Sequence, residues 1–299
     1  MRRAPPPPRA APSPPLPHRR GPPAHRPPSP FPRRSPLLNF FRTCIPSSSS
    51  LGGESEHQEH WPTLLVEVAA AAPELLQELG QQLVDLLKFD DASVRETGAA
   101  LFADLFAQEP AYYQKFPQLF DPFAAVFRDV SPAVRAKMVE HGVRLAHPPK
   151  ELPRPPANLA EQLVEELKGK VCDPDDKVRT TAVKAVCAAC WESIGPFAPL
   201  VAAARERMRD KKSQVAGVAM EQMVTLYRHH AAVAAAGGGS VPEPLAEVPS
   251  TLLAAYLSNT CDRNQIENLL YQKLLPTDGA QRLRAITDVH AVLKGKERD

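Results

Sequence analysis

The sequence predicts an all-α chain, a solenoid of antiparallel helix pairs with a disordered arm in front. Three observations carry that prediction. Apolar residues recur at helical spacing almost everywhere after Trp61. Period-two apolar runs and Asn-Gly hairpins are missing. One segment pattern returns four times.

The chain has 299 residues and a net charge of +2. That balance hides a division. Residues 1–53 hold nine Arg, no Lys and no acid, which leaves 27 basic against 34 acidic residues afterwards, a net of −7. Fifteen of the 34 prolines fall before Leu37. Too few apolar residues stand there to offset chain entropy, so residues 1–60 read as a disordered arm. Three readings of the arm stay open: an organelle transit segment, a nucleic-acid tail, or a nonspecific extension. No secretory signal is evident, and no apolar run reaches the ~18 residues that span a bilayer. The five cysteines do not form a disulfide framework, which points to cytosol or nucleus.

Helices are expected near 63–71, 73–88, 92–107, 116–128, 132–146, 157–171, 174–190, 196–209, 212–230, 249–258, 263–274 and 278–293. Abundant Ala and Leu favour them. The solenoid is placed at 61–230, an Ala/Gly/Pro linker at 231–247, and a further helical segment at 248–299.

Four segments align: FDDASVRETGAALFADLFA, RDVSPAVRAKMVEHGVRLA, CDPDDKVRTTAVKAVCAAC and RDKKSQVAGVAMEQMVTLY. Each has an Asp shortly before a Val. The valines are Val94, Val134, Val178 and Val215, separated by 40, 44 and 37 residues. Each segment follows another amphipathic helix. A helix pair recurring every ~40 residues is the mark of a HEAT-type solenoid. Within 173–190, Asp173 is expected to cap the helix and Pro174 to take its first position. Asp175 and Asp176 suit the positive end of the dipole. Val178, Ala182, Val186 and Ala189 form one apolar face, which Cys190 extends and Cys187 borders.

Arg95, Arg135 and Arg179 occupy one equivalent position. HEAT repeats generally place an Arg there that reaches the turn Asp of the same or the adjacent repeat. The resemblance implies an ion-pair ladder drawing on Asp91, Asp129 and Asp173. The fourth repeat has Ala216 and Gly217 instead, which suggests a weaker junction or a bend between the third and fourth repeats.

Catalytic and cofactor constellations are missing from the sequence, so neither enzyme activity nor a cofactor is expected. A structural zinc site needs four ligands, and Cys187 and Cys190 lack a second pair at the right distance. A redox Cys-x-x-Cys opens a helix, whereas this one closes a helix. Packing is the reading for both thiols. His229 and His230 read as solvated at a helix end. Glu161, Glu165 and Glu166 read as a solvated face. Gly237–Gly239 lacks the Lys-Ser/Thr of a phosphate loop. One charged stretch, RERMRDKKS, places Arg205, Arg207, Arg209, Lys211 and Lys212 across a turn. It is either a solvated turn or a patch for an acidic peptide, polyphosphate or nucleic-acid backbone.

Several blocks in order resemble one HEAT family, the cohesin-associated regulators named for precocious dissociation of sisters. DPDDKVRTTAVKAVCAAC is similar to the family's Asp-Pro-acidic helix. RERMRDKKSQVAGVAMEQMVTLYRHH follows at the family's distance, and VPSTLLAAYLSNTCDRNQIENLLYQKLLP resembles the next block. LLKFDDASVRETGAALFADLFA fits the preceding repeat. The resemblance covers roughly residues 75 to 293. Ala216-Gly217 and an insert at 231–239 depart from the pattern, and family members are much longer chains. The resemblance implies a nuclear, non-catalytic scaffold that binds the cohesin ring through its kleisin subunit. It also implies work with release and establishment factors, a link to chromatin through cohesin, and in plants a link to DNA repair. A solenoid's long concave face can receive a disordered partner segment as short helices. The rival readings are a HEAT adaptor for transport or vesicle coats, and an Arg-arm nucleic-acid binder. No membrane partner is expected, and direct nucleic-acid contact is left open.

Overall fold

The computed structural model describes residues 36–46, 60–237, 239–258, 262–275, 279–280, 282–283 and 286–287. Among these residues every regular element is helical. In chain order they are α1 (Pro36–Cys44), α2 (Trp61–Ala71), α3 (Glu74–Leu86), α4 (Ala92–Gln108), α5 (Tyr112–Lys115) and α6 (Pro117–Ala125). Then come α7 (Pro132–Ala146), α8 (Ala157–Val171), α9 (Asp176–Ala189), α10 (Ala198–Glu206) and α11 (Ser213–Gly237). Last are α12 (Glu243–Ala246), α13 (Val248–Ser258) and α14 (Arg263–Asn268), which continues as a π turn over Leu269–Leu274. The helix expected at 278–293 lies largely outside the described residues.

The pairs are α3 with α4, α6 with α7 through the turn at Val126–Arg128, α8 with α9 and α10 with α11. The second helices pack on one another in the order α4, α7, α9, α11. This is the α-solenoid that the ~40-residue repeat predicts. One continuous apolar core runs through it, from Phe41 to Leu274.

Two of the first helices tighten into a 3-10 turn at their ends. A 3-10 turn, Val126–Arg128, closes α6, and another, Arg207–Arg209, closes α10. Phe127 and Met208 drop from these turns into the core. The tighter winding satisfies carbonyls that a helix end leaves unpaired.

Two of the second helices, α4 and α9, begin at side-chain caps. Asp91 caps α4 by accepting from Ser93 N at 2.7 Å. Asp175 caps α9, accepting from Lys177 N at 2.9 Å and Val178 N at 3.2 Å. The expected cap at Asp173 is therefore two residues too early. Asp173 lies upstream of the helix, where its carboxylate closes the turn by accepting from Asp175 N at 3.0 Å.

Gly142 makes the contact between repeats possible. A Cβ on it would stand 2.7 Å from Phe127 Cζ and 3.2 Å from Leu167 Cδ2. Phe127 is fully buried, so its ring must shift within the packed core to make room. Gly142→Ala is expected to destabilise by about 1–2 kcal/mol, overpacking outweighing the better helix propensity of Ala. Urea unfolding checks this; an unchanged midpoint would mean that the ring yields freely.

Two expectations about segments change. The 1–60 arm contains α1, which buries Leu38, Phe41, Cys44 and the following Ile45. Arg42 of α1 pairs with Glu78 of α3 at 3.6 Å. The prolines end where LLNFFRTCI begins, and that stretch has apolar residues at helical spacing. The rest of the expected arm, 1–35 and 47–59, lies outside the described residues. The 231–247 linker is also shorter than expected. Helix α11 runs on through the alanines to Gly237, because Ala sustains a helix without needing a packed face. Residues 243–246 form the short helix α12, anchored by Leu245.

Candidate functional site

The turns between paired helices carry the ion-pair ladder. Arg95 Nε and Nη2 donate to Asp129 Oδ2 and Oδ1 at 2.7 and 2.9 Å. Arg135 reaches Asp173 in the same way at 2.9 and 2.8 Å. Arg179 reaches Asp210, both bonds being 2.9 Å. Each rung joins one repeat to the next. In every rung the arginine's Nη1 also donates to two carbonyls of its own turn: Phe89 and Asp90, Asp129 and Val130, Asp173 and Pro174. Each acid completes its turn by accepting from a backbone N–H two residues on, at Ser131, Asp175 and Lys212.

This register separates two kinds of Asp. The rung acid stands six residues before the arginine position: Asp129, Asp173 and Asp210. Asp91 stands four before Arg95, at the capping position, so it is not a rung. Phe89 occupies the rung position in that repeat, and the ladder starts there. At the other end Asp210 accepts, but Ala216 has nothing to donate onward. The junction between the third and fourth repeats therefore keeps its rung, contrary to the expected weakening. The missing rung is at the following junction. There Gly217 lets α14 approach: a Cβ on it would stand 2.7 and 3.0 Å from the Gln265 side-chain amide.

The rungs are largely buried, Arg95, Asp173 and Arg179 most fully. Burial alone would raise the Asp129, Asp173 and Asp210 carboxyls. Hydrogen bonds from the paired arginine and from the turn N–H, with neighbouring positive charge, outweigh it, and all three lie below the usual carboxylate value.

The basic stretch divides in two. Arg205 is tied down, donating to Pro244 O at 3.4 Å and pairing with Glu247 at 3.0 Å. Arg207 pairs with the rung acid Asp210 at 3.2 Å. Arg209, Lys211 and Lys212 are exposed, and no ion pair joins them among the described residues. Three free cations thus remain of the five.

The thiols are packed, not displayed. Cys187 and Cys190 are buried, and burial pushes both up to about 12. Cys187 Sγ lies 3.7 Å from Met223 Sδ. Cys172 is exposed. On limited labelling with a maleimide, peptide mapping should show Cys172 modified well before Cys187 and Cys190. Equal rates would mean that the α9–α11 contact opens readily. His230 also departs from its expected place. It is buried, with Nε2 2.9 Å from Cys190 O, because α11 continues past it. His229 stacks on Trp191 at 4.0 Å. Glu166 takes Arg128, and Glu165 pairs with Lys168 at 3.8 Å.

The stacked second helices leave one long exposed face. On α7 and α4 it carries the cross-repeat pair Arg144–Asp104 at 2.6 Å. Between α9 and α11 lies a small depression lined by Thr180, Thr181 and Gln214 among others. Farther along, Trp191 is 45% exposed and flanks a wider depression of about 410 Å³ with Arg228 and Lys273. Sequence reasoning missed Asp210 as a rung and Trp191 as a surface feature. Asp210 was marked by its fixed offset before Ala216. Trp191 carried no signal beyond following a helix end.

A family model described as sister chromatid cohesion protein PDS5 matches residues 35–298. The Xenopus laevis sister chromatid cohesion protein PDS5 homolog A-B is 26% identical over 265 residues, covering 86% of this chain and 19% of that protein. The Homo sapiens PDS5 homolog A has the same identity and coverages, 26%, 86% and 19%. The chain thus spans about a fifth of the length of these relatives. Among solved structures, a chain of the Pds5–Scc1 complex aligns with a TM-score of 0.65 at 17% identity, covering 85% of this chain and 39% of that one. At that identity the likeness speaks for the fold. Because the family model takes in the whole helical stack, from α1 through the ladder to α14, the chain belongs to the PDS5 family of sister chromatid cohesion proteins.

Proposed function

We propose that this chain is a non-catalytic nuclear scaffold in the regulation of sister chromatid cohesion, and that it binds the kleisin subunit of cohesin. The observation that carries this reading is the family match across residues 35–298. The ladder supports it physically. Three bidentate rungs fix the spacing and rotation of successive repeats, so the exposed faces of α4, α7, α9 and α11 present one surface to a partner segment. The related fold was solved in a complex with Scc1. Release and establishment factors, and a role in DNA repair, belong to the same reading.

The test is capture of the cohesin kleisin subunit by the full chain, with an unrelated HEAT protein as control. Specific capture is the expected result. A soluble, helical, monomeric chain that captures none would overturn the kleisin assignment.

A second reading concerns Arg209, Lys211 and Lys212, which form a site for a polyanion or acidic peptide at the ladder's end. Their exposure and lack of ion pairs among the described residues favour it. Reversing those three charges leaves the rungs intact, whereas changing Arg207 would disturb Asp210. Binding to duplex DNA or an acidic peptide that survives this triple reversal removes the patch. Deleting residues 1–35, which spares α1, separates any contribution of the arginine-rich segment.

A further inference from the structure

Two depressions on the exposed helix face share a wall. One, of about 450 Å³, lies between α11 and α14, with Asn264, Asn268 and Gln272 along one side. Lys273 lines this depression and also the one that reaches Trp191, so the two adjoin at that side chain as neighbouring parts of a trough.

The amides of Asn264, Asn268 and Gln272 are exposed and make no side-chain hydrogen bond among the described residues. Each offers an acceptor and two donors, the complement of a peptide unit. Residues four apart on a helix stand about 6 Å apart along its axis. Main-chain groups on one side of an extended peptide recur about every 6.6 Å. Asn264 and Asn268 therefore match the period of an extended peptide. Gln272 continues the row across the π turn, a widened winding that often marks functional positions.

Charge is divided along the trough. Asp262 stands at one end, its carboxylate occupied by Asn264 N at 2.9 Å. Arg228 and Lys273 stand at the other. Lys273 there is committed to Glu221 at 2.6 Å, so the two cancel and Arg228 is the cation that a bound carboxylate would meet. Among the described residues Arg228 commits only Nη1, to Leu274 O at 3.0 Å. Beside these cations the indole of Trp191, stacked on His229, gives a flat apolar wall.

We propose that this trough seats an extended, acidic peptide segment, its main chain held by Asn264, Asn268 and Gln272 and a carboxylate held by Arg228 beside Trp191. The inference rests on the reading of the chain as a peptide-receiving scaffold, and not on kleisin as the source of the peptide. A helical occupant would hide its main chain in its own hydrogen bonds and leave the amide row unused.

The full chain is panned against a random peptide phage library, and enriched sequences are synthesised with a fluorophore. Anisotropy is then measured for the unaltered chain, for Asn268→Ala/Gln272→Ala and for Arg228→Gln, with circular dichroism to confirm the fold. Acidic peptides should be enriched. Binding should weaken about tenfold in the amide variant, the effect of one or two lost hydrogen bonds. A similar loss is expected when alternate peptide nitrogens are methylated. No enrichment, or binding indifferent to both the variants and methylation, overturns the proposal. Sensitivity to the variants without sensitivity to methylation overturns main-chain recognition in favour of a helical partner. Kleisin segments are measured in parallel. Library peptides that bind where kleisin does not would leave the trough standing and remove kleisin. Kleisin binding that ignores every variant would do the reverse.

Discussion

Replacing Asp173 by Ala is expected to lower the unfolding free energy by about 3–5 kcal/mol. Asp173 is 2% exposed and gathers three donors: the Arg135 guanidinium, Lys170 Nζ at 3.1 Å and Asp175 N. Truncation leaves the largely buried Arg135 side chain, 11% exposed, without its counter-charge and opens the turn before α9. Losses of this size follow from stranding a charge, not from deleting an attraction, since buried pairs contribute little net stability against apolar replacements. Asp173→Asn should cost less, because its carbonyl can still accept from Asp175 N. Chemical denaturation of the single variants and of Asp173→Leu/Arg135→Met checks the account. A double variant less stable than either single one would contradict it.

The same rungs set an acid limit. The Asp129, Asp173 and Asp210 carboxyls titrate below their unfolded value of about 3.9 in the folded chain. Their unfolded forms bind protons first as pH falls. Their stabilisation is therefore complete above the unfolded value and drains away below it, through the folded values. His141 adds an earlier loss. Burial first, and Arg144 second, hold it below its usual value, so stability begins to fall as pH drops through about 6.5. Denaturation midpoints across pH should show both stages, and Asp173→Ala should flatten only the acidic one.

Phe123→Ala should cost about 3–5 kcal/mol as well, for a different reason. Phe123 is fully buried within a cluster, its ring centroid 5.5 Å from Phe106, 6.1 Å from Phe120 and 6.2 Å from Phe102. Removing the ring empties a space that three other rings cannot fill without leaving their rotamers. Phe123→Leu keeps most of the volume and should cost appreciably less. Equal losses for the two variants would show that ring geometry, and not filled volume, holds this junction. A cluster joining α4 to α6 makes the loss global, which thermal unfolding followed by far-ultraviolet dichroism would register as a single shifted transition.

The amide row and the ladder show how far sequence carries a site. Asn264, Asn268 and Gln272 recur at four-residue spacing, so their common face was readable. Their use was not, because an exposed polar face on a helix is ordinarily solvated. Only the neighbouring α11 turns that face into one wall of a trough. His230 misled for a related reason. It looked like a helix-end residue because the alanines after it offered no periodic apolar face, yet alanine sustains a helix unaided.

By itself the sequence determined the helices, their pairing in repeats and the positions of the three ladder arginines. Those depend on local spacing: apolar residues every three or four positions, and a turn acid at a nearly fixed distance. The tertiary structure decided which acid each arginine meets. Asp91 and Asp129 look alike in sequence, but one caps its own helix while the other receives Arg95 from 34 residues away. A local pattern cannot tell a cap from a rung, because the difference is which neighbour stands across the gap, and only packing of one repeat on the next supplies that neighbour.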